Sequence, residues 1–306
     1  MIKIKLKMKK FLSISLLMSI LFLGACKNKK EQEVVKTADA KTLMTESSER
    51  FIKFWGAGNA IAAAGEFTDD ATRVISSPLG PIEGSEAILN SFTAIFSENG
   101  EFKNSKIEVA TFETRFVSED IVLGAGTFKI SDLNNTVLES GKWGNVYRYV
   151  DGEIKFLLES AHATSDAADI TPKEIVSLEK SITSEEMHFE KIQTSVSSYI
   201  KHANEKDATS LSMLFAENGI QSVDSNEGIV MGRQQIATTQ IFSEGQVLNA
   251  NILGYKYLGN SLAIAFGNWT QLDETSNLML SGQWGNLFQI EGDMAYLLME
   301  SAGLIK

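Results

Sequence analysis

A six-residue segment that occurs twice constrains the fold of this 306-residue chain more than any other feature. Residues 140–145 read SGKWGN and residues 281–286 read SGQWGN, and each copy is followed at the same distance by Glu-Ser-Ala, at 159–161 and 300–302. The chain has only four Trp, so such agreement in register indicates a tandem duplication. Internal repeats of this kind set the fold that the rest of a chain can adopt.

The duplication predicts two domains, which agrees with the chain length. Apolar residues make up 43% of the sequence and there are only three Pro, which is enough material for two cores. We predict a first domain at 42–165, a connector at 166–182 that includes Thr171-Pro172, and a second domain at 183–306.

The first 25 residues have the pattern of an export signal, with five Lys followed by an apolar run from Phe11 to Leu23. That run is shorter than the roughly 20 residues that a membrane-spanning helix needs. It ends in Leu23-Gly24-Ala25-Cys26, which resembles the lipobox of bacterial lipoproteins. The resemblance implies cleavage before Cys26, lipidation of Cys26 and anchoring in a membrane of the bacterial cell envelope. The alternative is an ordinary secretory signal with a chance Cys.

The residues on either side of Cys26 refine this expectation. Lys27 rather than Asp follows the Cys, which in the lipoprotein family goes with the outer membrane. Residues 26–41 are polar and charged, and such a composition is typical of a tether rather than a packed core.

Composition also excludes several classes of function. The formal net charge is -11, and so acidic a chain repels the phosphate backbone of nucleic acids. One Cys and three His without paired ligand spacing predict no metal site. No dinucleotide or phosphate-binding fingerprint is present, so we expect no cofactor.

Each repeat is predicted to hold three helices followed by an antiparallel meander. An amphipathic helix opens each copy, and Trp55 lies on the apolar face of the first one. A short helix capped by Asn59 or Asp207 and then a third helix follow. The pattern then alternates with a period of two, which predicts strands at 105–116, 120–131, 136–150 and 153–162, and at 247–257, 261–271, 278–290 and 295–303.

The last hairpin of each repeat predicts which side chains face inward. If Asp151-Gly152 is a two-residue turn, Val150 pairs with Glu153 and Trp143 pairs with Ser160. This pairing puts Glu159 and Glu300 on the outward face. It puts the following residues on the inward face: Trp143, Asn145, Tyr147, Ser160 and His162 in the first repeat, and Trp284, Asn286 and Ser301 in the second.

Three helices before a strongly bent antiparallel sheet resemble the nuclear transport factor 2-like superfamily, and within it the SnoaL-like proteins. The resemblance covers 42–163 and 184–304 and includes segments such as Phe67-Thr68-Asp69-Asp70-Ala71. It implies an α+β fold with two cone-like domains. Such domains commonly pair through the outer faces of their sheets, so we expect the two repeats to form an intramolecular pseudo-dimer.

Three functions remain open at this point, because the superfamily includes enzymes as well as proteins that only bind or dimerise. The first is binding of a small apolar or amphipathic molecule, without turnover, by the inward residues: Trp55, Trp143, Asn145, Tyr147, Ser160, His162, Trp284, Asn286 and Ser301. The second is an isomerase, cyclase or hydrolase in the first repeat that uses His162 with Asp69 or Asp70. The third is an interaction module of the cell envelope, in which the Trp fill the cones and Asn145 and Asn286 tie down the neighbouring backbone.

Overall fold

The computed structural model describes residues 39–164, 173, 186–224, 226, 228–242 and 244–305. The predicted signal segment 1–25, the tether 26–41 up to Ala38, the site of lipidation Cys26 and the connector 166–182 apart from Lys173 lie outside these residues. No helix in the described ranges is both long enough and apolar enough to cross a membrane.

The two repeats have the same order of helices and strands. The elements of the first repeat are α1 Ala40–Gly56, α2 Ala60–Gly65, β1 Phe67–Ile75, β2 Ile82–Glu83, α3 Ser85–Phe96, β3 Lys106–Phe116, β4 Ile121–Ser131, β5 Val137–Val150 and β6 Glu153–Ala163. Those of the second are α4 Phe189–Asn204, α5 Ala208–Ser212, β7 Phe215–Val223, β8 Val230–Met231, α6 Arg233–Thr239, β9 Gln246–Gly259, β10 Leu262–Asp273, β11 Leu278–Glu291 and β12 Met294–Leu304. The α+β class, with three helices on a sheet in each repeat, is confirmed.

Each sheet has six strands, in the order β2-β1-β6-β5-β4-β3 and β8-β7-β12-β11-β10-β9. The sheets are mixed rather than purely antiparallel, because β1 runs parallel to β6 and β7 runs parallel to β12. The parallel pairing follows from the connectivity: the chain leaves the first strand, crosses through α3 or α6 and returns as a meander. The last strand therefore lies in the middle of the sheet.

The short second helix of each repeat begins at the predicted cap. The Asn59 side chain accepts a hydrogen bond from the backbone N–H of Ala62 at 3.1 Å, and Asp207 accepts one from Ser210 at 2.9 Å. These bonds satisfy backbone donors that the first turn of a helix leaves free. Each cap fixes where the chain turns from the first helix towards the first strand.

The predicted pairing of the last hairpin is correct only near its turn. Val150 pairs with Glu153 and Tyr147 pairs with Phe156, as expected, but Trp143 pairs with Ala161 instead of Ser160. A β-bulge at Leu157 causes the shift, and the second repeat has the same bulge at Leu298. A slip of one residue exchanges the two faces of a strand, so the predicted orientation beyond the bulge is wrong.

The outer faces of the two sheets pack against each other. One apolar core contains Leu123, Val146 and Leu158 from the first repeat together with Ile264, Leu287 and Met299 from the second. The large bulge residues Leu157 and Leu298 both belong to it. The two repeats are therefore arranged as the pseudo-dimer that the resemblance implies.

Polar contacts between the repeats come in pairs that exchange the roles of the two copies. Ser160 Oγ donates to the carbonyl of Ser301 at 3.3 Å, and Ser301 Oγ donates to the carbonyl of Ser160 at 3.0 Å. Matching bonds run from Arg115 to the carbonyl of Asn218, from Lys256 to that of Asp70, from Lys142 to that of Val223 and from Gln283 to that of Ser77. Such reciprocity is the property of a two-fold interface between identical subunits.

Glycines of the repeated hexapeptide permit this close approach. A Cβ on Gly144 would lie 2.7 Å from Met299 Sδ, and a Cβ on Gly285 would lie 3.0 Å from Ser160 Oγ. An added Cβ at either position would force side chains of the other repeat to shift. The packing between the copies explains why both kept this Gly.

Candidate functional site

Each repeat encloses a cavity between its helices and the inner face of its sheet. The first cavity, between α1, α3 and β3–β6, has a volume of about 620 Å³. The second cavity, between α4, α6 and β9–β12, has a volume of about 490 Å³. Trp55 and Trp143 line the first and Trp269 and Trp284 line the second, so all four Trp of the chain face a cavity.

The bulges turn a carboxylate into each cavity. Glu159 lines the first cavity and Glu300 lines the second, and both are nearly inaccessible to solvent. The expectation that these two residues face outward is wrong, because the extra residue at Leu157 or Leu298 reverses the alternation of the side chains after it.

In the first cavity Glu159 is paired with a cation. Arg73 on β1 lies opposite Glu159 on β6, and its Nε donates to a carboxylate oxygen of Glu159. Arg73 Nη1 also donates to Ser91 Oγ at 2.9 Å, and the guanidinium lies 4.1 Å from the centre of the Phe92 ring. The charge of this buried acid is therefore neutralised within the repeat.

In the second cavity the corresponding acid has neutral partners. Gln221 occupies the strand position opposite Glu300, and its Nε2 donates to Glu300 Oε2 at 2.8 Å. The Tyr199 hydroxyl also hydrogen-bonds to Glu300. Burial raises the pKa of the Glu300 carboxyl, and these hydrogen bonds offset only part of that rise.

Gln221 is itself held by two other amides. Its Oε1 accepts one hydrogen bond from Asn226 Nδ2 and one from Gln240 Nε2, both at 3.0 Å. The two acceptor sites of the oxygen are thus filled, which fixes the orientation in which Nε2 points at Glu300. The Glu300 side chain is held in a defined position by groups on α4 and β7.

Burial and the negative charge of Glu300 raise the pKa of the Tyr199 phenol well above its usual value. Tyr199 therefore keeps its proton at neutral pH and acts as a hydrogen-bond donor. The second cavity combines an acid that favours its neutral form with a phenol that stays protonated.

The predicted Asn residues hold the backbone beside the bulges. Asn145 Oδ1 accepts from the backbone N–H of Ser160 at 2.9 Å, and Asn286 Oδ1 accepts from that of Ser301 at 3.1 Å. Asn145 Nδ2 further donates to the Tyr147 hydroxyl at 3.2 Å. Both Asn also line their cavities, so each can hold the neighbouring backbone and can also contact a bound ligand.

The indole N–H groups of the two repeated Trp are satisfied by the neighbouring strand. Trp143 Nε1 donates to the carbonyl of Thr127 at 3.1 Å, and Trp284 Nε1 donates to that of Asn268 at 3.2 Å. Trp55 Nε1 donates to Ser105 Oγ at 2.9 Å. These three rings consequently present apolar faces to the cavities.

Ser160, His162 and Ser301 do not lie where the sequence suggested. They are buried between the two repeats, and none of them is among the described residues that line a cavity. Ser160 Oγ lies 3.0 Å from His162 Nε2 and donates a hydrogen bond to the backbone carbonyl of Ser301. Burial lowers the pKa of His162 to about 3.

The two aspartates proposed as catalytic partners of His162 lie on the exposed part of β1. Asp70 Oδ2 accepts from Lys256 Nζ of the second repeat at 2.9 Å. Partial desolvation raises the pKa of Asp70, but this hydrogen bond and the positive charges of Lys256 and Arg148 outweigh that effect, so the pKa is lowered. The contacts of Asp70 join the two repeats rather than form part of a cavity.

Glu300, Tyr199 and Gln221 were not predicted from the sequence as site residues. One signal was available, because Glu belongs to the Glu-Ser-Ala triplet that both copies retain. A second was the run of three apolar residues in each last strand, 156–158 and 297–299, which is typical of a strand covered on both faces. In the described residues no group of three or more His, Cys, Asp or Glu could hold a metal ion.

Each repeat has an α+β fold, with a helix-covered cavity on the inner face of its sheet. No model of a known protein family matches the chain, and no curated protein matches it significantly.

Several solved structures resemble it, and each alignment covers 40% of this chain. One is a domain of unknown function with a cystatin-like fold from Nostoc punctiforme, 14% identical, with 75% of that chain covered and a TM-score of 0.35. A second is an NTF-2 like protein of unknown function from Shewanella oneidensis, 10% identical over 98% of that chain, with a TM-score of 0.35. A ketosteroid isomerase-like protein from Erwinia carotovora atroseptica is 12% identical over 99% of that chain, with a TM-score of 0.34. In each case less than half of this chain aligns with one solved chain, and the sequence identity is 10–14%.

Proposed function

We propose that this protein is a lipid-anchored, extracytoplasmic protein whose two domains bind a small apolar or amphipathic molecule. The observation that carries the proposal is the pair of cavities of about 490 and 620 Å³, each lined by two Trp and by a few hydrogen-bonded polar side chains. Ligand sites in proteins are typically of this size and are apolar, with few oriented polar groups. Cones filled by their own side chains would have favoured an interaction module instead.

The second cavity is the better candidate for selective binding. Its polar groups Tyr199, Gln221 and Glu300 are held in place without a cation of the chain, whereas Arg73 already occupies the acid of the first cavity. A ligand that enters the second cavity therefore meets unneutralised polar groups against aromatic walls.

Native mass spectrometry of the full chain, purified from its host without detergent exchange, tests the binding proposal. We expect a retained mass in the range of a small organic molecule, and we expect Trp284→Ala to lose it because the wall of the second cavity is removed. Repeated purification with no retained mass, together with no binding of apolar probes, would contradict the proposal.

The anchor is proposed from the sequence of residues 1–26 and is tested separately. Replacement Cys26→Ser removes the thiol that would carry diacylglycerol, and we expect the protein to move from the membrane fraction to the soluble fraction. Two or three acyl chains bind a membrane stably, since each buried methylene contributes about 0.8 kcal/mol. An unchanged distribution, or a purified wild-type protein without acyl mass on Cys26, would rule the anchor out.

An enzyme remains the second candidate, and Glu300 with Tyr199 is the observation that favours it. A neutral carboxyl beside a phenol can donate hydrogen bonds to a carbonyl oxygen that becomes negative during isomerisation. The candidate thus moves from the first repeat to the second. Loss of turnover of an unsaturated ketone in both Glu300→Gln and Tyr199→Phe, with binding retained, would support it.

A further inference from the structure

The second cavity is lined by two acidic residues and by no basic one among its described residues. Asp224 and Glu300 are its two acidic wall residues, and the described residues that line it include no Lys, Arg or His. Glu300 is 6% exposed, and neither of its side-chain hydrogen-bond partners carries a charge. A buried carboxylate without a cation is costly, so this cavity favours an occupant that brings a positive charge.

In the first repeat, a side chain of the protein itself supplies the positive charge beside the acid. There the Arg73 guanidinium fills the place beside the equivalent acid Glu159 and lies over the Phe92 ring at 4.1 Å. The cation is thus bound by a carboxylate and an aromatic face together. Both interactions favour an organic cation with an apolar surface.

The second repeat has lost this internal cation and kept the acid. Gln221 stands where Arg73 stands. Gln240, the residue that follows the third helix of the second repeat, hydrogen-bonds to Gln221, and Phe92 in the third helix of the first repeat contacts Arg73. Gln221 Nε2 donates to Glu300 at 2.8 Å, so the acid keeps a hydrogen bond in place of the ion pair that Glu159 makes. The Glu300 carboxylate therefore lines the cavity without a counter-ion among the described wall residues.

The wall of the second cavity supplies the remaining features of a site for an organic cation. Five aromatic rings line it, from Tyr199, Phe242, Trp269, Trp284 and Phe288. Gln246 Oε1 also lines it and is buried without a hydrogen-bond partner in the described part of the chain. An ammonium N–H could donate to this oxygen, and the rings attract a cation through their faces.

We propose that the second cavity binds an organic cation, an amine or a quaternary ammonium group on an apolar body, with the Glu300 carboxylate as its counter-ion. This inference rests on the proposed binding function and specifies its ligand class. Burial raises the pKa of Glu300 in the empty cavity, and a bound cation offsets that rise by stabilising the carboxylate.

Three probes that share one apolar chain and differ in charge test the inference: octylamine, octanol and octanoate. Titration of the full chain is followed by calorimetry and by the fluorescence of the cavity Trp. We expect octylamine to bind about tenfold more tightly than octanol, a difference typical of a desolvated cation near aromatic rings, and octanoate to bind most weakly.

Two variants assign the preference to Glu300. Glu300→Gln removes the counter-ion, and Gln221→Arg supplies a cation from the chain in the arrangement that Arg73 has in the first repeat. Each is expected to abolish the preference for octylamine over octanol and to leave octanol binding within about twofold. The matched control is Glu291→Gln at the exposed end of β11, for which we expect no change.

The outcomes separate this inference from the proposed function. Equal affinity for the three probes, or a preference for octylamine that survives in both variants, would overturn the ligand class and leave apolar binding intact. No binding of any probe would overturn both. A cation preference that disappears in both variants and persists in Glu291→Gln supports both.

Discussion

Glu300 is the side chain whose surroundings differ most from those of its counterpart. Its folded-state pKa is raised by burial above the ordinary 4.5, so the folded protein binds this proton more tightly than the unfolded chain does. Its contribution to stability is full below pH 4.5 and is lost as the pH rises through the folded pKa. Burial of this carboxyl therefore lowers the stability of the folded protein once the pH exceeds its folded-state pKa.

The variant Glu300→Gln makes this cost measurable. We expect it to have its smallest effect on unfolding free energy below pH 4.5 and to become progressively more stable relative to the parent as the pH rises. The gap grows by about 1.4 kcal/mol for each pH unit between the two pKa values. Urea unfolding at several pH values checks this, and a constant difference at every pH would contradict it.

His162 has the opposite pH dependence. Its pKa falls from 6.5 to about 3 on burial, so below pH 6.5 the unfolded chain takes up a proton that the folded protein does not. The contribution to stability is present above pH 6.5 and is lost at about 1.4 kcal/mol for each pH unit as the pH falls towards 3.

The variant His162→Gln tests this slope. We expect acid unfolding between pH 6.5 and 4 to become shallower in the variant, because the residue that titrates is gone. His188→Asn is the matched control, since Asn tolerates the left-handed backbone found at His188. This variant leaves the buried His162 ring unchanged. Equal slopes in parent and His162→Gln would show that His162 is protonated in the folded state.

At the scale of elements, the bulged last strand decides which residues reach the cavities. The duplication could be predicted from the repeated hexapeptide, and the helices and long strands could be predicted from the local periodicity of apolar residues. The face of Glu159 could not, since alternation from the turn at Asp151 holds only until the extra residue at Leu157. Leu157 and Leu158 are both apolar and both buried between the repeats, so neither reveals by polarity where the alternation breaks.

The Asn beside each bulge should be a stabilising part of that strand. Asn145→Ala leaves the buried N–H of Ser160 unpaired, and Asn286→Ala does the same to Ser301. Each is expected to lower the unfolding free energy by about 1–3 kcal/mol. The exposed Asn134→Ala serves as a control and should stay within about 0.5 kcal/mol of the parent. Losses no larger than that of the control would argue that water replaces the amide.

At the scale of the whole molecule, the duplication placed two copies of one surface around a pseudo-two-fold axis. Near that axis, equivalent residues of the two repeats contact each other, as Ser160 and Ser301 do. Two equal small side chains can do this, but two bulky ones cannot occupy the same space. His162 and Gly303 follow the two Glu-Ser-Ala triplets, and a Cβ added to Gly303 would overlap the Cβ of His162. One copy could therefore acquire an imidazole only while the other kept Gly.

This mutual exclusion predicts a compensating pair of substitutions. Gly303→Ala should destabilise the protein by about 1–3 kcal/mol, the usual cost of overpacking, while the same substitution at Gly65, where an added Cβ meets nothing within 4 Å, should not. His162→Gly in the Gly303→Ala background removes the Cβ atom that the new methyl group would overlap. In a double-mutant cycle of unfolding free energies, the double variant should be more stable than the sum of the single changes predicts, by roughly 1 kcal/mol or more. Additive losses would mean that the two positions do not compete for space, and the close packing of the copies across the pseudo-two-fold axis would have to be abandoned.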